Sequence, residues 1–253
     1  MHRCECGENK ILTDPAPRPH PVASTGNDIV DLAATDPQRT GNSRFYSRIL
    51  SAEEVALYDQ PALQQLPFDR YVWLLWSIKE SVYKYSSRTD NGLAFSPLTI
   101  PVLQLDPPSG DGFYKSMIIY GSEMLYSRSI ITDRLIVTVV SNDEKFDRTW
   151  WGFRSIDEAG YADQSASVRT FALGKLATAL SRADLRIEKT AAGYPVVLDG
   201  KGLLDISLSL AHHGHFVAYS YHLPPDPPPA SRSSLLALSL SLNNSLYRKS
   251  AAN

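Results

Sequence analysis

The stretch Trp73-Leu74-Leu75-Trp76-Ser77-Ile78-Lys79-Glu80-Ser81-Val82-Tyr83-Lys84-Tyr85 constrains the fold more than any other part of the chain. Pro67 precedes it, and the apolar spacing predicts a helix over 68–87. At about 100° per residue, Leu75, Ile78, Val82 and Tyr85 gather on one arc and form a core stripe. Glu80 lies off that stripe, within about 20° of Trp73 and about 40° of both Trp76 and Lys84. A solvated helix face does not ordinarily set two tryptophans beside its Glu and Lys, so this second face is expected to meet another surface or a ligand. Two readings of Glu80 and Lys84 stay open at this point. They form an i,i+4 ion pair worth a few tenths of a kcal/mol, or they face something bound.

Around this helix the chain alternates helical and strand-like segments. Gly26 opens a short buried strand over 28–32. The region 44–58 reads as two helices meeting at Ser51, which with Glu54 has the spacing of a capping box. Strands are expected over 98–105, 114–120, 124–131 and 135–140, separated by Gly, Pro and Asp turns, with 142–148 as a polar connector. A helix over 166–180 follows, then strands over 195–198 and 205–210 around the Asp199-Gly200 turn, and a third over 216–221. The expected fold class is therefore α+β, as two similar halves of helix plus antiparallel meander packed as a pseudo-dimer. The first half spans 24–145 and the second 146–223. Residues 1–23 and the Pro/Ser/Leu-rich residues 224–253 read as tails, and 235–246 is too short to span a membrane.

Bulk properties exclude several function classes. A chain of 253 residues with 43% hydrophobic residues can build a buried core. Its 25 basic and 27 acidic residues leave a formal charge of -2, without the global field of a general nucleic-acid binder, so any anion site is local. The two cysteines, Cys4 and Cys6, are too closely spaced and isolated for a zinc site and read as reduced thiols. With no signal-peptide core and no apolar run of bilayer length, the expectation is a soluble, cytoplasmic protein.

Two further segments carry chemistry. In Gly26-Asn27-Asp28-Ile29-Val30-Asp31-Leu32 a carboxylate sits between apolar residues on a short strand, which is costly to bury unless a cation or donors meet it; a turn-capping Asp is the plainer reading. Ser207 to Tyr219 holds His212, His213 and His215. A Gly-containing turn rarely points three histidines inward, so His213 and His215 are expected in a solvated turn, while His212, at a strand end, is better placed to meet an anion.

Taken in order, these segments resemble the 4′-phosphopantetheinyl transferase superfamily. Gly26 to Ile29 resembles its Gly-x-Asp-Ile element. Trp76, Lys79, Glu80 and Lys84 resemble Trp-x-x-Lys-Glu-x-x-x-Lys, and Ser209 to His212 the late Ser-x-Ser-His of the holo-acyl-carrier-protein synthase branch. The resemblance runs over about 24–222 and includes the passage Arg44 to Glu54. It implies a transferase that moves 4′-phosphopantetheine from coenzyme A to a serine of an apo acyl or peptidyl carrier protein. Asp28 and Glu80 would be ligands of Mg²⁺ and, with Lys84, the catalytic set. Lys79, Lys84 and His212 would hold coenzyme A, and Arg44 and Arg48 would receive an acidic carrier. The branch belongs to fatty acid biosynthesis, although polyketide and peptide carriers remain open.

The chain departs from this pattern in three places. Val30 replaces an acidic residue found in another branch, with Asp31 one place later. Ala211 replaces the second serine of Ser-x-Ser-His, which implies a missing hydroxyl at the phosphates. The length is twice that of the synthase branch, which implies two fused units and a site complete in a monomer. Two rivals are a catalytically impaired carrier-binding homologue of the same fold and a metallohydrolase ligated by His212, His213 and His215.

Overall fold

The computed structural model describes residues 24–88 and 92–223. Both tails, with Cys4, Cys6 and the 235–246 segment, lie outside the described residues. In chain order the elements are β1 (Thr25–Asp31), α1 (Pro37–Thr40), α2 (Ser43–Tyr46), α3 (Ala52–Leu57), α4 (Phe68–Ser86), β2 (Val102–Asp106), β3 (Tyr114–Tyr120), β4 (Glu123–Ile131), β5 (Leu135–Ser141), β6 (Thr149–Ser155), α5 (Tyr161–Leu180), β7 (Arg186–Lys189), β8 (Pro195–Asp199), β9 (Gly202–Leu203), β10 (Ser207–His213) and β11 (Phe216–His222). Among the described residues no helix is long and apolar enough to cross a membrane.

The first half is a five-stranded antiparallel sheet, ordered β1-β5-β4-β3-β2, with α4 laid across it. The stripe expected on α4 is fully buried at Leu75, Ile78 and Val82, in one core with Val30, Ile118, Leu125 and Ile136. Gly26 sets how closely helix and strand approach. A Cβ there would overlap the Ser81 carbonyl oxygen and lie 2.7 Å from Tyr85 N, so any larger residue would push α4 off β1. Ser51 caps α3 through both arms of the capping box with Glu54, as its sequence predicts. The helix before it is shorter than expected, because α2 ends at Tyr46.

The second half differs from a simple helix-plus-meander. Its strands form a β10-β11-β6 sheet that carries α5 and a separate β7-β8-β9 sheet. The Asp199-Gly200 turn joins β8 to the two-residue β9, while β10 pairs with β11. The 205–210 strand therefore does not close that hairpin. Strand β6 escaped the periodicity reading because Gly152 interrupts its aromatic run. A Cβ at Gly152 would lie 3.0 Å from the Tyr219 hydroxyl, so a larger residue there would require the Tyr219 ring to give by a few tenths of an ångström.

Strand β1 joins the halves. Alternate N–H groups bond to β5, and those on its other edge are met by side chains of β10: Thr25 N–H donates to Ser207 Oγ (3.1 Å), Asn27 N–H to Ser209 Oγ (3.1 Å) and Asp31 N–H to His213 Nδ1 (2.9 Å). Between these bonds Ile29 packs with Ala211, Phe216 and Ala218. A comb of side chains thus takes the place of a backbone ladder and meets three N–H groups of an edge that would otherwise be buried unpaired.

Candidate active site

Residues of β1 alternate between two neighbours. Thr25 and Ile29 face the second half, whereas Gly26, Asp28 and Val30 face α4. This alternation carries the Asp28 carboxylate to the exposed-side residues of α4. Lys84 Nζ lies 2.9 Å from Asp28 Oδ1 and 3.2 Å from Glu80 Oε1, so two carboxylates from different elements close on one cation. The Asp28 side chain is 6% exposed, and those of Lys84 and Glu80 are 24% and 27% exposed.

Their electrostatics follow from that placement. Burial pushes the Asp28 carboxyl up to about 6; the Lys84 ammonium pulls against this, and the neighbouring Glu80 charge adds to it. Burial would lower Lys84, but Asp28 and Glu80 outweigh it and hold the ammonium above its ordinary range. His212, at the end of β10, is half-buried with its ring perpendicular to that of Tyr161 at 5.2 Å. Burial lowers its proton affinity, and the charges of Lys84, Lys189, His213 and Arg169 lower it further. His212 therefore lies within the field of Lys84, across the junction of the halves.

Several expectations are corrected. Lys79 is fully buried, its ammonium 2.6 Å from Glu54 Oε2 and 2.7 Å from the Ile49 carbonyl, so it ties α4 to α3 and has no reach toward a coenzyme. Glu54 completes that tie by accepting from Val102 N–H and Ser51 N–H. Burial lowers the Lys79 ammonium and Glu54 raises it in return. His213 is not in a solvated turn, because its Nδ1 accepts from β1; the turn is Gly214-His215, and only His215 is exposed. Asp31 is a structural brace, accepting from Ala33 N–H and His215 N–H. Arg44 and Arg48 are both exposed, but Arg48 lies beyond the end of α2, so the two do not share a helix.

The residue at 211 also reads differently in three dimensions. Ser207 and Ser209 turn their hydroxyls to β1, and Ala211, two residues on, turns the same way against Ile29. A hydroxyl at 211 would point at β1 and leave the surroundings of His212 unchanged.

The second face of α4 meets a cleft, as its tryptophans suggest. Trp73 and Trp76 line a cavity of about 520 Å³ with Arg39, Phe45, Arg48 and Phe95. Trp73 Nε1 donates to Thr40 Oγ1, and Trp76 packs edge-on to Phe95.

Sequence reasoning missed Arg88, although it stands one helical turn beyond Lys84. Its Nη1 donates to Ser207 Oγ at 2.9 Å, its Nε is buried, and burial lowers the guanidinium to about 10 against the opposing pull of Tyr194 and Tyr85. Arg169 and Lys189 were missed as well, since nothing local ties either to His212.

Asp28, Glu80 and Lys84 share one site and fall within one stretch of recognisable sequence. Residues 24–137 match the 4′-phosphopantetheinyl transferase superfamily. The match to the superfamily contains all three of these residues and ends within β5, before His212. No curated protein and no solved structure is a match for the chain. Phosphopantetheinyl transfer is the activity this superfamily implies.

Proposed function

We propose that the chain transfers 4′-phosphopantetheine from coenzyme A to a serine of an apo carrier protein, as a Mg²⁺-dependent enzyme of the holo-acyl-carrier-protein synthase type. The observation that carries this reading is the approach of Asp28 and Glu80 to the same ammonium. Two carboxylate oxygens that already share one cation suit a divalent ion, which would take its remaining ligands from diphosphate oxygens and water. Bound there, Mg²⁺ would neutralise charge on the diphosphate.

The chain's own groups account for the rest. Lys84 neutralises a diphosphate oxygen, and His212 meets a phosphate at the nucleotide end. Glu80 is the more exposed of the two carboxylates and is the one a carrier serine can reach. The serine oxygen bonds to the β-phosphorus and gives its proton to Glu80. The bond from that phosphorus to the bridging oxygen breaks, and 3′,5′-adenosine bisphosphate leaves. Such a transfer depends on positioning and charge neutralisation, which two carboxylates and a lysine provide.

Each half sets one long helix on an antiparallel sheet, which supports reading them as a pseudo-dimer whose single chain holds a complete site. Purified protein given coenzyme A, Mg²⁺ and an apo acyl carrier protein should yield a carrier heavier by one phosphopantetheine. Glu80→Gln should abolish the mass shift while circular dichroism stays unchanged. If wild-type protein leaves every apo carrier unmodified yet still binds it, the chain is instead the carrier-binding homologue.

Arg44 and Arg48 are the proposed contacts for the acidic carrier, and Arg48 also lines the aromatic cleft. Changing both to Glu should raise KM for the carrier on the order of tenfold or more and leave coenzyme A binding unaltered. The opposite pattern would refute this role.

A further inference from the structure

Tyr161 is the most exposed of the large hydrophobic side chains among the described residues, at 70%, yet its ring packs against a neighbour. It stands on the first turn of α5, perpendicular to His212 with ring centroids 5.2 Å apart. One side of the phenol is thus fixed by the imidazole while the ring is largely open to solvent. The charges of Lys84, Lys189 and Arg169 disfavour a proton on His212, so the surroundings of this ring pair are positive. A strongly exposed aromatic ring, held in place beside an imidazole in positive surroundings, has the make-up of a shelf for a flat base whose sugar carries phosphate.

We infer that Tyr161 is the shelf on which the adenine of the donor nucleotide stacks, with His212 at its edge meeting the nucleotide's 3′-phosphate. This rests on the proposed transfer reaction and specifies how its donor is recognised. The diphosphate lies at Asp28, Glu80 and Lys84, and the adenosine end extends past His212 onto α5. Tyr161 contributes its ring face; its hydroxyl is not needed. Discrimination would then reside in the base and its 3′-phosphate, so a donor without the nucleotide would be held by the diphosphate-binding groups alone.

The test is calorimetric binding of adenosine 3′,5′-bisphosphate and, separately, of 4′-phosphopantetheine, which has no base, to full-length wild-type, Tyr161→Ala and Tyr161→Phe proteins. Stacking on one aromatic ring predicts that Tyr161→Ala binds the bisphosphate on the order of tenfold more weakly. Tyr161→Phe should bind it within about twofold of wild type, and the affinity of all three for 4′-phosphopantetheine should be equal. The exposed position makes loss of folding a poor explanation, and a thermal melt of each variant checks this directly.

Wild-type protein that binds the bisphosphate while Tyr161→Ala binds it equally well would overturn the shelf and leave the transfer reading standing. Equal weakening of both ligands in Tyr161→Ala would overturn it too, because the effect would not be on the base. A wild-type protein with no affinity for the bisphosphate would overturn both.

Discussion

Asp28 is a residue whose burial is opposed by its own charge. Folding removes its carboxyl from water faster than Lys84 can compensate, and its proton affinity rises to about 6. Between its ordinary value of 3.8 and about 6 the folded protein holds a proton that the unfolded chain has released. The stability Asp28 contributes is therefore fully present below about 3.8 and is lost as pH rises through about 6. Asp28→Asn should remove that cost. In the presence of a chelator at pH 8 the variant should melt several degrees above wild type, corresponding to about 3 kcal/mol. At pH 4 the two melting temperatures should nearly coincide. A constant offset across this range would show that proton affinity is not the cause. Such a gain is what the proposed metal-binding role of Asp28 predicts, since a carboxylate kept for its chemistry stays costly to bury.

Helix α4 shows how one element serves two purposes through its two faces. Its Leu75, Ile78 and Val82 stripe was readable from spacing alone, as were the Ser51 capping box and strand β3. The neighbouring residues Lys79 and Glu80, adjacent in sequence and both charged, were not separable in this way. One turns inward to Glu54 and is fully buried, and the other turns out to Lys84. The physical reason is the rotation of about 100° between successive helix positions, which sends adjacent side chains to different environments that only the packing partners define. Lys79→Met should cost about 3–5 kcal/mol in urea unfolding, because it leaves Glu54 buried without its cation. Adding Glu54→Gln should recover part of that loss. A single variant as stable as wild type would refute the structural role of the pair.

For the whole molecule the decisive feature is the comb by which β10 side chains meet β1. It lies between parts of the chain that are far apart in sequence, and it brings His212 into the field of Lys84. Ser209→Ala would leave the buried Asn27 N–H without its acceptor and should cost about 1–3 kcal/mol. Because β1 belongs to the first half and β10 to the second, the loss should lower the transition of both halves together, as followed by tryptophan fluorescence and far-ultraviolet circular dichroism. Two separate transitions in the wild type would argue against such coupling.

The amino-acid sequence alone determined the α+β class, the core stripe of α4, most strands of the first half, and the neighbourhood of Asp28, Glu80 and Lys84. These depend on local periodicity and on motifs within one continuous stretch. Tertiary structure alone decided that β6 and β7 exist, that β10 serves β1 rather than closing on β8, that Lys79 and His213 are structural, and that Arg88 reaches across to Ser207. Each depends on partners distant in sequence, because a side chain's role is set by what desolvates it and what charge stands opposite, and neither is written in its own segment.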